Sequence, residues 1–531
     1  MNLLTAVIFT PLLFAAIVAL LPAKRHGWLR AAALAGSLVS LGLAAALWAL
    51  HDPAGAEFQF EVNRPWIPQL GAGYHVGVDG LAATLILLCA LLGPIALLST
   101  WRSIHHRVKE LLICLLGLQS AVCGTFASLD LALFYLFWEV MLVPLLLLVG
   151  IWGGERRVYA AVKFFLYTFA GSVLMLAAIV FLHVKSGPAG ARSFDYVAIL
   201  AALQDPAAPL GLSWAAQRWL FAAFALAFAV KVPLFPLHTW LPDAHVQAPA
   251  AGSIILAGVL LKVGAFGFVR YAMPFFPEAA AWARPALVTL AVVGVVYGSL
   301  LAFAQRDLKK LIAYSSVAHL GMVMLGIAAL TVEASTGAMF QLVSHGISTG
   351  ALFLLVGLLY ERTHTRWISD YGGLAKVVPG LAAAFMLVTL SSIGLPGTSG
   401  FVGEFLILAG SFAAPVAMGV AEGVTHVSTP VWTAIAASGV VLGAVYMLRM
   451  YQRVMFGPVR HAENRTLADL SGRELLAVVP LAALIVVMGV APGPVLAKLE
   501  PSARRFVERV AARPTGNGRA GSGSDSLPHG P

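Results

Sequence analysis

The sequence predicts an all-α polytopic membrane protein with about 14 transmembrane helices, organised around two inverted five-helix repeats that each contain a broken helix. Three observations predict this class. Hydrophobic residues make up 60% of the chain and charged residues only 11%, against about 25% charged in a typical soluble domain. Apolar runs of roughly 20 residues, the length that crosses about 30 Å of hydrocarbon, recur throughout. Two of these runs are interrupted, one by prolines and the other by proline and several glycines.

The apolar runs give the order of the predicted spans. The first run is followed, not preceded, by its positive charges Lys24 and Arg25, so we expect a retained span and not a secretory signal. The runs lie near residues 2–22, 29–50, 79–101, 110–128, 131–152, 160–183, 217–243, 249–273, 284–304, 309–331, 336–360, 375–412, 430–454 and 475–496.

Spans 4 to 8 and spans 9 to 13 form two similar groups, because the fourth span of each group is the broken one. Since five is an odd number of crossings, the second group must be inverted relative to the first, as in many ion transporters. The predicted regions are 1–109 (spans 1 to 3), 110–274 (first repeat), 275–455 (second repeat), 456–513 (span 14 and a basic segment) and 514–531 (a Gly/Ser-rich, disordered tail).

Lysine and arginine in the connecting loops predict the orientation, because they concentrate on the cytoplasmic side. The loops after odd-numbered spans carry most of them, which places both termini outside. Four arginines near the C-terminus oppose this orientation, but charges in a tail count less than those in many short loops. The net charge of +10 is therefore a topology signal, and we expect no nucleic-acid partner. The loop charges are Lys24, Arg25, Arg102, Arg107, Lys109, Arg156, Arg157, Arg306, Lys309, Arg362, Arg366, Arg453, Arg460 and Arg465.

The cysteines predict no cofactor in this chain. Cys89, Cys114 and Cys123 all fall inside apolar runs, without the spacing of a disulfide, zinc or iron–sulfur site. A metal site formed by histidine and aspartate is also weakly supported, because no HExxH-like ligand pattern is present and prolines break the helical register. That hypothesis would use His238, Asp243 and His245.

Several ionisable side chains fall within the apolar runs. A lysine or aspartate at the centre of a span costs about 2.5–3.5 kcal/mol even on lenient scales, and such groups usually mark ion pathways. Glu139 follows Asp130 in the chain by about 13 Å of helix, which predicts a position near mid-membrane. The candidate residues are Glu139, Lys163, Lys231, Lys262, His319, His345 and Glu404.

Each candidate also has a purely structural interpretation. Glu139 and Lys231 could form a static ion pair, and Lys163 could extend its charge to the membrane surface. His319 and His345 could hydrogen-bond neighbouring helices. Position alone leaves each of these alternatives open, and the number of charges in one chain favours a shared pathway.

Prolines open two spans beside charged side chains. Pro233 and Pro236 follow Lys231, and Pro396 precedes Glu404. Proline removes a backbone donor and clashes with the preceding turn, and opened backbone at membrane depth survives only where protein or water satisfies it. We therefore expect Lys231 to lie in an environment where a lysine gains and loses a proton.

Six motifs closely resemble the antiporter-like subunits of proton-pumping NADH:quinone oxidoreductase, respiratory complex I, over about residues 75–455. The resemblance is strongest to the subunit M branch, the counterpart of mitochondrial chain 4. Glu404 stands where other branches usually carry lysine, and no long amphipathic arm follows span 14. The motifs are LFWEVMLVPLLLLVGIWG, KFFLYTFAGSVLML, FAVKVPLFPLHTWLPDAH, LLKVGAFGFVRY, DLKKLIAYSSVAHLGMV and GLPGTSGFVGEFLIL.

This resemblance implies a role for each buried charge and a set of partners. The partners are other membrane subunits of complex I, especially neighbouring antiporter-like subunits, with protons and the lipid bilayer of a bacterial inner membrane. FMN, iron–sulfur clusters and quinone would bind partner subunits and not this chain. The implied roles are an input ion pair (Glu139 with Lys231), a relay (Lys262 and His319), an output group (Glu404), an accessory relay (His345) and an auxiliary charge (Lys163).

Two other functions use the same features. A subunit of a multisubunit cation/proton antiporter would share the fold and the buried charges. A membrane anchor of a hydrogenase-type complex would use the charges for assembly alone. Proton flux driven by a sodium gradient would favour the first, and charge variants that fail to assemble would favour the second.

Overall fold

The computed structural model describes residues 2–188, 190–204, 210–414 and 429–511. In these residues, 12 helices are long and apolar enough to cross a membrane, and each overlaps a predicted run. The other two predicted runs are the broken ones. The helical membrane class is confirmed, whereas the count of 14 spans and the division into regions stay predictions. The predicted tail, 514–531, lies outside the described residues.

The helices are numbered here in chain order, and two π-helical stretches, Leu256–Leu260 and Phe268–Ala272, join α11, α12 and α13 into one continuous span. Their bounds are α1 Leu3–Leu20, α2 His26–Leu50, α3 Gly80–Ser99, α4 Val108–Ala127, α5 Leu131–Val140, α6 Leu142–Trp152, α7 Arg157–Lys185, α8 Tyr196–Gln204, α9 Trp214–Lys231, α10 Trp240–Gln247, α11 Ala250–Ile255, α12 Leu261–Gly267, α13 Met273–Phe275, α14 Pro277–Ala304, α15 Leu308–Ala329, α16 Val332–Thr363, α17 Pro379–Ser392, α18 Ser399–Phe412, α19 Thr429–Met455, α20 Gly472–Val490 and α21 Gly493–Ala511.

A β-hairpin between α2 and α3 is absent from the sequence prediction. Strands β1 (Gln59–Ile67) and β2 (Ala72–Val78) pair antiparallel, with Asn63 opposite His75. Both strands are short, and β1 is mostly polar. Neither strand therefore forms an apolar run that would reveal it in the sequence. The hairpin adds a small element outside the spans without changing the class.

Helix α21 is the second element that the prediction missed, because 456–513 was expected to hold only span 14 and a basic segment. It is amphipathic, with Leu499, Ala503 and Phe506 buried. Arg509 forms two hydrogen bonds of 2.6 Å with the carboxylate of Glu57, so α21 is fastened to the chain next to the hairpin. Such bidentate pairs are strong as well as directional.

Two spans lie at the centre of the molecule. The apolar windows of Ala250–Phe275 and Val332–Thr363 are fully buried, whereas those of α1 and α2 are only one-third buried. Lipid-facing helices need apolar side chains outward, but central helices can carry polar groups if other helices satisfy them. Lys262 and His345 lie on these two central spans.

Both predicted breaks are present. Helix α9 ends at Lys231 and α10 begins at Trp240. Helix α17 ends at Ser392 and α18 begins at Ser399. The position of the two broken spans is therefore as predicted, and the inverted relation of the two repeats stays a prediction.

Candidate functional site

Lys262 and His345 form a direct contact at the centre of the molecule. The Lys262 Nζ lies 2.7 Å from the His345 Nδ1, and both residues are buried. The lysine also donates to the Ala257 carbonyl. Because an ammonium group has only donors, His345 presents its Nδ1 lone pair to a charged Lys262. A proton can therefore be shared between these two side chains.

Close backbone contact brings these two residues together. Gly258 and Gly346 lie on the two central spans, and a Cβ on Gly346 would come within 2.6 Å of the Gly258 carbonyl oxygen. Only glycine allows such an approach. Ala257 lies in the first π-helical stretch, and π-bulges within helices are frequent at functional sites. The Ala257 carbonyl in this π-helical stretch thus helps to position the Lys262 ammonium.

His319 and Glu404 form a second contact. The His319 Nδ1 lies 3.1 Å from the Glu404 Oε1, and Gln341 Nε2 donates to the same oxygen at 3.3 Å. The Ser392 hydroxyl lies 3.4 Å from the His319 Nε2. A cavity of about 20 Å³ adjoins these groups and is bounded on another side by Tyr446. That volume accommodates a single water.

The two contacts join into one row. The ring centroids of His319 and His345 are 5.5 Å apart. Lys262, His345, His319 and Glu404 therefore form a row of titratable side chains, in which the His345 Nε2 has no hydrogen-bond partner and the two rings are not hydrogen-bonded to each other. The resemblance implies only an accessory role for His345, whereas the structure places it between Lys262 and His319. The structure thereby gives His345 a central position.

The second break shapes the Glu404 end of this row. Gly394 adopts a φ of 70°, which favours glycine. A Cβ at this position would lie 2.6 Å from the Glu404 Oε2, so a larger residue would also displace the carboxylate. The opened segment between α17 and α18 is therefore fitted to the Glu404 side chain.

Lys231 and Glu139 do not meet in this structure. The Lys231 Nζ is buried without a hydrogen-bond partner and lies 4.2 Å from the centre of the Trp138 ring. The Glu139 Oε1 is also buried and without a partner. No ion pair within 4.0 Å joins these two described residues, although Glu139 acts electrostatically on Lys231. The predicted input pair is therefore open here, and its role stays a prediction.

The space beside Lys231 is lined mainly by apolar side chains. They include Leu256, Leu260 and Leu261, and the space has no room for a water. Unlike the row that begins at Lys262, this region offers no chain of polar groups among its lining residues. Proton exchange between the two lysines thus requires a change in packing or in hydration.

Lys163 has a partner that sequence analysis did not assign. Its Nζ forms an ion pair of 2.7 Å with Asp243 on α10, just after the first break. The Trp240 indole donates to the Val230 carbonyl across the same break, so the opened backbone is partly satisfied as expected. Asp243 appeared in the sequence only as a weak metal-ligand candidate.

Three further buried polar residues were not among the predicted pathway residues, and one of them, His245, was considered only as a metal ligand. His245 is buried, its two ring nitrogens have no hydrogen-bond partner, and it stacks on Phe353 at 4.3 Å. Lys309 donates to the Ala248 carbonyl at 2.9 Å and lines a cavity of about 210 Å³. Gln341 carries no charge, so a search for buried charges cannot find it. Lys309 was counted only as a loop charge.

The metal hypothesis gains no support from the geometry. Across the described ranges, no three or more His, Cys, Asp or Glu side chains are grouped as metal ligands. Asp243 is engaged by Lys163, and His245 faces Phe353. The expected absence of a cofactor in this chain stays a prediction.

Comparison with known proteins assigns this membrane architecture to a class. Residues 128–429 match the family model described as "NADH:quinone oxidoreductase/Mrp antiporter, TM". The chain belongs to this family of antiporter-like membrane proteins. Within it, the chain falls in the subunit M branch, as its relatives show.

Two relatives and one solved structure support this assignment. The chain is 44% identical over 525 residues to NADH-quinone oxidoreductase subunit M of Rhodobacter capsulatus, covering 96% of this chain and 97% of the relative. It is 38% identical over 506 residues to NADH-ubiquinone oxidoreductase chain 4 of Arabidopsis thaliana, covering 95% and 97%. A chain of respiratory complex I from Thermus thermophilus with bound NADH matches with a TM-score of 0.83 and 35% identity, covering 96% of this chain and 99% of that one.

Proposed function

We propose that this chain is the proton-translocating, antiporter-like subunit M of an NADH:quinone oxidoreductase in a bacterial inner membrane, with both termini outside. Its relatives at 44% and 38% identity carry the names of that complex's subunits. The observation that carries the proposal is the row Lys262, His345, His319 and Glu404, in which every member holds or passes a proton.

Proton transfer along this row uses its two hydrogen bonds and one step between the rings of His345 and His319, which no hydrogen bond joins in this structure. A charged Lys262 donates a proton to the His345 Nδ1 across 2.7 Å. The resulting imidazolium then gives its Nε2 proton to His319, and because the ring centroids are 5.5 Å apart and that nitrogen has no hydrogen-bond partner here, this step requires the two rings to move together. His319 then passes a proton from Nδ1 to the Glu404 Oε1 across 3.1 Å. At the end Lys262 is neutral, both histidines are neutral again, and Glu404 is protonated. The net result moves one proton from Lys262 to Glu404.

Glu139 and Lys231 control the row in this proposal, and Lys163 with Asp243 supports them. When Glu139 approaches, Lys231 gains a counter-charge, and when Glu139 withdraws, desolvation favours a neutral lysine. The separation seen here represents the withdrawn arrangement. Moving one charge against 100 mV requires about 2.3 kcal/mol, so the coupling between Glu139 and Lys231 must supply at least that order of energy.

Redox chemistry is assigned to other subunits in this proposal. FMN, iron–sulfur clusters and quinone bind partner subunits, and quinone reduction there drives the change at Lys231. The support within this chain is that Cys89, Cys114 and Cys123 lack the spacing of an iron–sulfur site. The partners of this chain are neighbouring antiporter-like and other membrane subunits of the complex.

Substitution of Glu404 tests the proposal. NADH-driven proton uptake is measured in vesicles after assembly of each variant in the native complex is verified. We expect Glu404→Gln to lose most pumping, because glutamine keeps the shape but cannot titrate. We expect Glu404→Asp and Glu404→Lys each to retain part of it. Full pumping by Glu404→Gln would show that Glu404 is structural.

A further measurement separates the two other functions. Vesicles that lack NADH are given a sodium gradient, and proton flux is recorded. Flux that depends on Lys262 would indicate a cation/proton antiporter. Variants of Lys262 and Glu404 that prevent assembly, with normal pumping in any complex that forms, would indicate an anchor. Loss of NADH-driven pumping in fully assembled complex supports the proposed function.

A further inference from the structure

Gln341 occupies an unusual position at the end of the row. It lies on α16 one turn before His345 and is 2% exposed. Its Nε2 donates to the Glu404 Oε1 at 3.3 Å, the oxygen that His319 also contacts. Its own carbonyl oxygen, Oε1, is buried without a hydrogen-bond partner. An unsatisfied buried carbonyl directly beside an ionisable side chain needs an explanation.

Packing holds the Gln341 amide against Glu404. A Cβ on Gly403 would collide with the Gln341 Oε1, and a Cβ on Gly337 would lie 2.6 Å from Leu406. Helices α16 and α18 therefore approach closely at these glycines, and this packing restricts the position of the Gln341 amide. It can still turn about its last side-chain torsion, which interchanges its nitrogen and oxygen.

The chemistry of an amide matches both charge states of a carboxyl group. An ionised carboxylate only accepts hydrogen bonds, whereas a protonated carboxyl also donates one. The Gln341 Nε2 serves the ionised state, as in this structure. The unpartnered Gln341 Oε1 is the acceptor that a protonated Glu404 would need. Among uncharged side chains, only glutamine and asparagine offer both an N–H donor and a carbonyl acceptor.

We propose that Gln341 is a positioning residue for proton transfer, whose amide reverses as Glu404 gains or loses its proton. This inference rests on the proposed function, because it requires Glu404 to carry a proton. Gln341 carries no proton itself. It keeps Glu404 hydrogen-bonded in both states and so keeps the carboxyl group in reach of His319 throughout the cycle.

The inference predicts a shift in the titration of Glu404. Gln341→Leu removes a hydrogen bond to the charged carboxylate, and such bonds are stronger than those to the neutral acid. The titration midpoint of Glu404 should therefore rise by about one pH unit, a tenfold change in proton affinity. The pH profile of NADH-driven pumping should shift the same way. Gln341→Asn retains both amide groups and should recover part of the difference.

Infrared difference spectroscopy of the assembled complex during a pH titration measures this midpoint. The carboxyl band of Glu404 is identified by its loss in Glu404→Gln. Leu342→Met, a volume-conserving change at a buried position of α16, serves as the matched control and should shift nothing. An unchanged midpoint and pH profile in assembled Gln341→Leu would overturn the inference.

The unaltered complex provides a second test that needs no folded variant at position 341. With carbon-13-labelled glutamine, a side-chain carbonyl band should change with the same midpoint as Glu404, and this change should vanish in Glu404→Gln. Absence of such a band would overturn the inference. Full pumping by Glu404→Gln would instead overturn the proposed function, so the two failures are distinguishable.

Discussion

The two buried lysines Lys231 and Lys262 lie in very different surroundings. Lys231 has no hydrogen-bond partner, faces the Trp138 ring and is surrounded by leucines. Lys262 bonds to His345 and to the Ala257 carbonyl. A titratable side chain without a hydrogen-bond partner in a site that excludes water responds strongly to any nearby charge, whereas a hydrogen-bonded one can pass its proton on. Lys231 is therefore suited to respond to a change of nearby charge, and Lys262 is suited to pass a proton on.

Breaking the row at Lys262 should have the largest effect. We expect Lys262→Met to lower NADH-driven pumping by about a hundredfold, the usual contribution of a positioned proton donor. Lys262→Arg should fail to a similar extent, because arginine keeps the charge but does not release a proton. Proton uptake by vesicles with assembled complex is the measurement.

A matched control separates packing from proton transfer at this position. Leu352→Met changes a buried residue of α16 two turns after His345 with little change of volume, and it should pump normally. Normal pumping by Lys262→Arg would contradict the relay role and leave Lys262 as a fixed charge.

Lys231 and Glu139 should show a smaller but still severe effect. We expect Lys231→Met and Glu139→Gln each to lower pumping and coupled quinone reduction by about tenfold while the complex assembles. Assembly should survive because the Lys231 Nζ has no hydrogen bond to lose and glutamine keeps the shape of Glu139 and its capacity to accept a hydrogen bond. The double variant should be no worse than either single one, since each already removes the coupling. Normal proton flux in either assembled single variant would exclude this role.

The Lys163–Asp243 ion pair should contribute less, because its side chains are 21% and 32% exposed. Partly exposed pairs contribute about 0.2–1 kcal/mol, so Lys163→Met or Asp243→Asn should slow pumping only severalfold. The reversed pair, Lys163→Asp with Asp243→Lys, should recover part of the loss. A reversed pair that is worse than both single variants would mean that the two residues act independently.

The smallest effect is expected at His75 on the hairpin. Its Nδ1 lies 2.5 Å from Asp195 and its Nε2 lies 2.9 Å from Glu61. Burial lowers the pKa of His75, but hydrogen bonds and charge from Asp195 and Glu61 outweigh burial and raise it above the ordinary value. For Asp195, burial raises the pKa, but His75 and backbone donors outweigh it and lower it.

These directions define a pH window for the stability of the hairpin. The contribution of His75 is fully present below its unfolded pKa of about 6.5, and that of Asp195 is present above about 3.9. The hydrogen-exchange protection factors at β2, which are corrected for the intrinsic pH dependence of exchange, should therefore be highest between these values and fall as the pH rises through the folded pKa of His75. His75→Gln should abolish this dependence and leave pumping unchanged. Unchanged pH dependence in that variant would assign it to other groups.

The sequence by itself determined the membrane class, the positions of the spans and both breaks. Hydropathy acts over a single run of about 20 residues, and proline disrupts the helix that contains it, so both signals are local. Glu139, Lys231 and Glu404 were recognisable as unusual for the same reason. The hairpin and α21 were not predicted, because neither contains a long apolar run.

Only the tertiary structure decided which of the buried charges meet. Lys262 and His345 are 83 residues apart in sequence, and His319 and Glu404 are 85 apart. Their contacts depend on how whole helices pack, as at Gly258 and Gly346. The apolar gap beside Lys231 and the uncharged Gln341 are likewise invisible to a search for buried charges. Each buried charge can be recognised from the sequence of its own helix, but the contacts between charges form only where different helices pack together.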